Sequence, residues 1–346
     1  MTKPARPTIT IAVAAYNCAA TVGATIDSCL AQTQLEIEVL VVDDGSTDAT
    51  PAVLASYGDR IRVIRQANGG LAKARNTGMK EARGDFIAWM DADDLCMPDR
   101  MLVQSAVLEA FPGVVLVSSN FTAFHRPEIA DDALYLTTYY AAPGRLGGLD
   151  TIYPNACTLD VADAASDKQI RVRRGQVYEP LLDGNFVHPP TVMFRRSAQQ
   201  LAGECDTSLR YSSDYELFVR LARLGEFALV EAPLLRYRLS DSQMSKAAVS
   251  GTMQLETISI MDRIRQVDPA VYQRRRALFE RRYARSYLSA AEAIGNSDRA
   301  RSLRLLWRGL GHRILPTEGA RALARILLPQ ALRPVLRRLS RLLARS

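Results

Sequence analysis

The residues best placed to do chemistry are acidic side chains that end apolar runs. Phe86-Ile-Ala-Trp-Met90 passes directly into Asp91-Ala92-Asp93-Asp94, and Ile37 to Val42 passes into Asp43-Asp44-Gly45-Ser46. Carboxylates crowded this closely repel, and each prefers water or a neutralising cation. A Mg²⁺ or Mn²⁺ ion removes that conflict, because hard cations take carboxylate oxygens and often share their remaining positions with a ligand's phosphates. The competing reading is an acidic turn that starts a helix, with Asp94 as a cap near Pro98. A carboxylate after the second run can accept from a base N–H or from ribose hydroxyls. It can also sit in a turn whose Ser46, Thr47 or Asp48 caps the next helix, and both can hold at once. Far along the chain, Asp214 and Glu216 stand at the entrance of an amphipathic helix carrying Leu217, Val219, Leu221 and Leu224. An anion there caps the positive end of the helix or, facing a substrate hydroxyl, takes its proton.

These side chains need a sheet to gather them. Thr8 to Ala15 is β-branched and apolar, a first buried strand closed by Tyr16-Asn17. Apolar spacing predicts a helix from about Ala19 to Gln32, then a second strand over Ile37 to Val42 and a helix from Thr50 to Tyr57. Arg62 to Arg65 gives a short third strand. Asn68-Gly69-Gly70 opens a helix reaching about Ala82, and Asp85 to Met90 is the fourth strand. Strands one, two and four then end in Tyr16-Asn17, Asp43-Asp44 and the Asp91 to Asp94 cluster. They converge on one carboxyl edge, where open α/β sheets keep their ligands. No GxGxxG follows the first strand and no GxxxxGK[ST] occurs, which argues against a dinucleotide fold and a P-loop NTPase.

Val114 to Ser119 reads as a further strand. The stretch from Phe124 to Arg174 is expected to be irregular, with Tyr135, Tyr139 and Tyr140 either placed over the acceptor side of the site or part of a surface excursion. Asn185 and His188 either line that side or are held by local packing. Short strands follow at Thr191 to Phe194, and as a pair at Phe227 to Val230 and Leu234 to Leu239.

With 346 residues, 48% hydrophobic and 23% charged, the chain reads as a soluble globular protein with one large domain and an appendage. The division expected is 1–248, with halves 8–119 and 120–248, followed by a helical 249–346. No secretory signal is evident, and the five cysteines are scattered without a CxxC pair, which fits reduced thiols in a cytoplasmic protein. The net charge of +7 is uneven. Val271 to Ser346 holds 18 Arg and 4 acids, or +14, leaving 26 basic and 33 acidic residues, or −7, for the rest.

Ile11-Ala-Val-Ala-Ala-Tyr-Asn17, VVDDGSTDAT from Val41, GGLAKARNTGMKEARGDFIAWMDADD from Gly69 and Met97-Pro-Asp-Arg100 occur in this order. Together they resemble the family 2 glycosyltransferases, over roughly Ile9 to Ser245. The resemblance implies an α/β GT-A fold, a Rossmann-like mixed central sheet flanked by helices, here with a C-terminal all-helical extension. It implies that Ala14, Tyr16, Asp44, Gly70, Asp91, Ala92 and Asp93 meet a nucleotide-sugar donor, a UDP-sugar foremost. Tyr16 would stack on the base and Asp44 would hydrogen-bond it. Asp91 would reach the ribose or the metal shell, and Asp93 would bind a divalent Mn²⁺ or Mg²⁺. Asp94 is left as a helix cap or a partner behind the site. Asp214 falls on the general base of the family, with Glu216 as the fallback. The Glu that precedes the base in the family is Ser213 here, and the His that commonly follows the family's Tyr-Arg is replaced by Leu239-Ser240. The expected reaction is metal-dependent and inverting, passing a sugar to a hydroxyl of a glycan or lipid-linked saccharide. A non-catalytic sugar-nucleotide binder and a nucleotidyltransferase on a related sheet are the competing functions. The second lacks its usual Gly-rich, Arg- and Lys-bearing loop after the first strand.

After about Ala248 the pattern is helical throughout, with helices read at Met253 to Val267, at Val271 to Gly295, and from the Asn296-Ser297-Asp298 cap to Gly309. In the last stretch Leu332, Val335, Leu336, Leu339, Leu342 and Leu343 follow helical spacing, while Arg333, Arg337, Arg341 and Arg345 recur on another face. Such a helix fits the inner face of a membrane as a peripheral anchor. Packing on the acidic catalytic domain and homodimerisation are the alternatives. Nucleic acid is not the expected partner, since no aromatic stacking platform accompanies the arginines.

Overall fold

Apolar, β-branched runs without polar alternation call for strands covered on both faces. The computed structural model, which describes residues 9–32, 36–125, 133–162, 167–240, 251–295 and 297–312, forms three such strands, β1 (Ile9–Ala15), β2 (Ile37–Asp43) and β4 (Phe86–Asp91). Between them lie α1 (Val22–Leu30), α2 (Thr50–Ala55), β3 (Arg62–Arg65) and α3 (Leu71–Glu81). β2 and β4 flank β1 in parallel, with Ala15 opposite Asp43 and Ala14 opposite Asp91. That register puts the two acidic strand ends side by side.

The chain continues through β5 (Leu95–Cys96), α4 (Arg100–Ala110) and β6 (Val114–Phe124). Next come three short helices, α5 (Leu136–Tyr139), α6 (Ala142–Arg145) and α7 (Leu149–Ile152), then β7 (Asn155–Ala162) and β8 (Asp167–Gly175). The remaining elements are α8 (Tyr178–Asp183), β9 (Met193–Arg195), α9 (Arg196–Ala202), α10 (Ser213–Leu221) and β10 (Glu226–Arg238). Among the described residues these strands make one mixed sheet in the order β3-β2-β1-β4-β9-β6-β10-β8-β7, with β5 paired to β10. This is the α/β sheet that the sequence pattern calls for. Its core includes Ile11, Leu40, Trp89, Leu116, Phe194, Phe218 and Phe227.

Three local expectations need correction. The Phe124 to Arg174 stretch holds short helices and an antiparallel hairpin of β7 with β8, where Cys157, Leu159 and Val161 turn inward while Thr158 and Asp160 stay exposed. The period-2 pattern is present but weak, because only one face is covered. Phe227 to Leu239 is not two strands but the single β10, whose register against β6 shifts on both sides of Pro233. Proline lacks the ladder N–H, so the strand bulges there and then resumes pairing. Asp94 does not cap a helix: β5 intervenes, and Asp99 holds the N-cap position of α4.

The chain divides into two compact units, Met1–Asp241 and Ser242–Ser346. In the second, α11 (Thr252–Val267) is followed by α12 (Pro269–Arg274) and α13 (Arg276–Ile294), so the helix expected over Val271 to Gly295 is broken at Arg275. α14 (Arg299–Leu310) starts where Asp298 accepts from the Arg301 amide, as its cap pattern predicts. Leu305 and Leu306 of α14 pack with Leu288, Ala291 and Ile294 of α13. The Leu- and Arg-rich helix expected after Leu332 lies outside the described residues.

One position in the first unit tests how tightly the strand ends are held. Gly45 adopts φ +75°, and a Cβ there would stand 2.8 Å from the Asn68 amide nitrogen. Gly45→Ala is expected to cost about 1–3 kcal/mol of stability, read by urea unfolding.

Candidate active site

At the ends of β1 and β2 the two loops are fastened to each other. Asn17 takes a left-handed backbone, φ 47°. Its amide donates to Ser46 Oγ at 2.9 Å, and its Oδ1 accepts from the Thr47 amide at 2.8 Å. Asn is one of the few residues that tolerates this conformation cheaply. Beside it Tyr16 is 50% exposed, an unusual position for a large ring directly after a buried strand. The Asp44 carboxylate is buried and accepts from Gln66 Nε2 at 2.7 Å and from the amides of Gly69 and Gly70, the latter at 2.7 Å. Three donors fill three of its roughly four acceptor sites. Gly70, at φ +85°, has no atom within 4 Å on its Cβ side, so a ligand can approach the backbone there.

The carboxylates after β4 have different environments. Asp91 pairs with Arg75, with Nη2 to Oδ1 at 3.0 Å. Burial and then the charge of Asp91 push the Asp93 carboxyl up to about 6, and no cation stands within ion-pair distance of it among the described residues. Asp94 is fully buried. One of its oxygens accepts from the Arg238 amide at 2.8 Å, while the other has no hydrogen-bond partner. Burial holds its carboxyl well above the ordinary range. Asp94 thus ties β10 to the acidic cluster, and the Arg238 guanidinium adds a bond to the Asp93 carbonyl at 2.7 Å.

Asp214 arrives in the first turn of α10, and the fold brings it to the same cation that holds Asp91. Its Oδ2 is 3.7 Å from Nη1 of Arg75. Burial pushes the Asp214 carboxyl up, and the Arg75 charge opposes that shift. Glu216 is held by both Nε and Nη2 of Arg220, at 2.8 and 2.7 Å, so its carboxylate is committed along its own helix.

Sequence reasoning missed Arg75. It sits on the stripe Ala72, Arg75, Asn76 and Met79, all buried, and its guanidinium lies 4.6 Å from the Trp89 ring centroid. The signal was available: a charged residue on the apolar stripe of an amphipathic helix needs a buried partner. A second group missed as a unit is aromatic. His188 stacks on Phe121 at 4.0 Å and meets Tyr237 edge-on at 4.7 Å, and its Nδ1 lies 3.1 Å from the Tyr140 hydroxyl. Burial drives the His188 imidazole down to about 3, so it is neutral. Asn185, expected with it, caps the Val187 amide at 3.0 Å.

A divalent metal fits this donor set. Among the described residues no three His, Cys, Asp or Glu side chains form a closed metal cage. Asp93, with Asp91 beside it, can supply one or two carboxylates and leave the other positions to phosphate oxygens and water.

An acidic carboxyl edge on a half-sheet of parallel strands, joined to antiparallel strands and to a helix that brings a carboxylate from the far half, is the arrangement of the GT-A class of fold. Residues 10–140 match the model of Glycosyl transferase family 2. An uncharacterized glycosyltransferase of Rickettsia typhi is 27% identical over 252 residues, 73% of this chain and 70% of that one. The succinoglycan biosynthesis protein ExoO of Rhizobium meliloti is 50% identical over 97 residues, 28% of each chain. Among solved structures, S. aureus TarS 1–349 in complex with UDP-GlcNAc aligns with TM-score 0.53 at 15% identity, covering 92% of this chain and 80% of that one. The mannosyltransferase PcManGT of Pyrobaculum calidifontis, in complex with GDP-Man and Mn²⁺, aligns with TM-score 0.51 at 20% identity, covering 96% and 83%. The chain carries a family 2 glycosyltransferase domain and is a glycosyltransferase.

Arg75 screens two half-buried carboxylates from each other, so removing it leaves their like charges uncompensated. Arg75→Met is expected to destabilise the first unit by about 2–4 kcal/mol, and Arg75→Lys by less, in denaturant unfolding at neutral pH.

Proposed function

We propose that this protein transfers a sugar, with inversion, from a nucleotide-diphosphate donor to a hydroxyl of a glycan or lipid-linked acceptor. The observation that carries the reading is the meeting of Asp91 and Asp214 on Arg75, since it sets a carboxylate from the acceptor half beside the acidic end of the donor half. Support for the donor comes from the neighbours solved with UDP-GlcNAc and with GDP-Man, and support for a saccharide acceptor comes from ExoO. A UDP-sugar is our first choice of donor.

On this reading the exposed Tyr16 ring stacks on the base. The fourth acceptor site of Asp44 takes a base N–H, while its other bonds hold the Gly69-Gly70 turn open to the donor. Ala14 and Ala92 are small residues on either side of the same strand ends, and they leave room for the nucleotide. Asp93, with Asp91, would hold a divalent cation, which when bound neutralises charge on the departing diphosphate. The chain's own part is to place the donor's anomeric carbon before Asp214. That carboxylate removes the proton from the acceptor hydroxyl as the new bond forms on the face opposite the leaving group. Asp214 must be ionised to do so, and Arg75 favours that state. Glu216, held by Arg220, is the weaker candidate for the base. Residues 1–248 would form the catalytic domain, nucleotide-binding over 8–119 and acceptor-side over 120–248. The basic 249–346 would work at a membrane surface. No helix among the described residues is long and apolar enough to cross a membrane.

Asp214→Asn is expected to keep the donor-induced rise in melting temperature in the presence of Mn²⁺ but to lose transfer by about 10²–10⁴-fold. Retained turnover moves the base elsewhere. Because Asp93 binds metal only as the carboxylate, the Mn²⁺-dependent thermal shift with UDP-sugar should fade as pH falls through about 6. Asp93→Ala should show no such shift at any pH. Product anomeric configuration by NMR tests inversion, and release of nucleoside diphosphate rather than pyrophosphate separates transfer from nucleotidyl chemistry.

A further inference from the structure

Helix α14 of the C-terminal unit presents an outward face with an unusual composition. Its buried residues are Ser302, Leu305, Leu306 and Gly309, which fall on one side of the helix. At the α-helical period the opposite side is centred on Ala300, Arg304 and Trp307. Trp307 is 75% exposed, whereas the only other tryptophan, Trp89, is 1% exposed in the sheet. Leu303 and Leu310, both half-buried, sit one turn before and after Trp307 and extend its apolar edge. Arg301, Arg304 and Arg308 are exposed along the other edge, and no carboxylate pairs with any of them among the described residues.

We propose that this face of α14 seats the protein on an anionic lipid bilayer, with Trp307 at the headgroup level and Arg301, Arg304 and Arg308 on lipid phosphates. An indole exposed beside leucines suits the boundary between headgroups and hydrocarbon, because it has an apolar body and one N–H donor. Unpaired guanidinium groups suit phosphates for the same geometric reason that they suit carboxylates. Charge also argues against the chain covering this face with its own end, since residues 313–346 carry eight Arg and one Glu. The inference rests on the membrane reading proposed for 249–346 and not on the transfer chemistry, since vesicle binding is measured without turnover.

The test uses the full chain with extruded vesicles of phosphatidylglycerol and phosphatidylcholine, and with vesicles of phosphatidylcholine alone. Trp89 is enclosed, so a change in tryptophan emission reports Trp307. Anionic vesicles are expected to shift emission to the blue and to sediment the protein, and added salt should reverse both. Trp307→Phe should abolish the blue shift. The triple variant Arg301→Glu, Arg304→Glu, Arg308→Glu should lose the blue shift and weaken sedimentation by on the order of tenfold or more, with an unchanged circular dichroism melt as the control for folding. Sedimentation without a blue shift would assign binding to the basic C-terminal residues and overturn the role of α14. No binding to anionic vesicles, equal binding to neutral ones, or a shift with a short oligonucleotide but not with vesicles would also overturn it.

Discussion

A guanidinium group buried between two carboxylates holds the acidic edge of this sheet together. Arg75 belongs to a helix of the parallel half, Asp91 ends a strand of that half, and Asp214 is delivered by a helix more than 100 residues later. Asp91 and Asp214 are each half-buried, so setting them side by side without a cation would be costly. One cation stacked on Trp89 removes most of that penalty. The parallel and antiparallel halves are therefore joined by charge as well as by the shared sheet. Displacing one carboxylate changes the field felt by the other.

The parallel half of the fold was legible in the sequence because its strands are covered on both faces and its helices are amphipathic, so pattern and burial agree. The acidic strand ends could be placed for the same reason: register follows from strands that start and stop together. The antiparallel half was harder to read. The hairpin of β7 and β8 has only one covered face, and β10 continues past Pro233 by bulging, which a proline seldom allows in a strand. Arg75 was hidden for a different reason. Its helix was found, but its partners come from a strand end and from a distant helix, and no local pattern contains them.

The carboxylates of the cluster divide by their surroundings. Asp94 is deepest and tied to the Arg238 amide, so it acts as a hydrogen-bonded rivet between β4 and β10. Asp93 keeps an ionisable carboxyl poised near neutrality, and Asp91 is already paired. Three acids within four positions thus have three distinct tasks, and only their depth in the fold separates them. In the antiparallel half, the neutral His188 is enclosed by tyrosines and Phe121.

The fastening of Asn17 to Ser46 and Thr47 bears on how a nucleotide would be received. Both loops that frame Tyr16 are cross-linked by side-chain bonds before any ligand arrives, and Asp44 has already fixed the glycine turn opposite. A base entering this cleft meets a mould that is already set. On the proposed reading, little of its binding energy would be spent on arresting loop motion, and selectivity among bases would depend on fit against that rim.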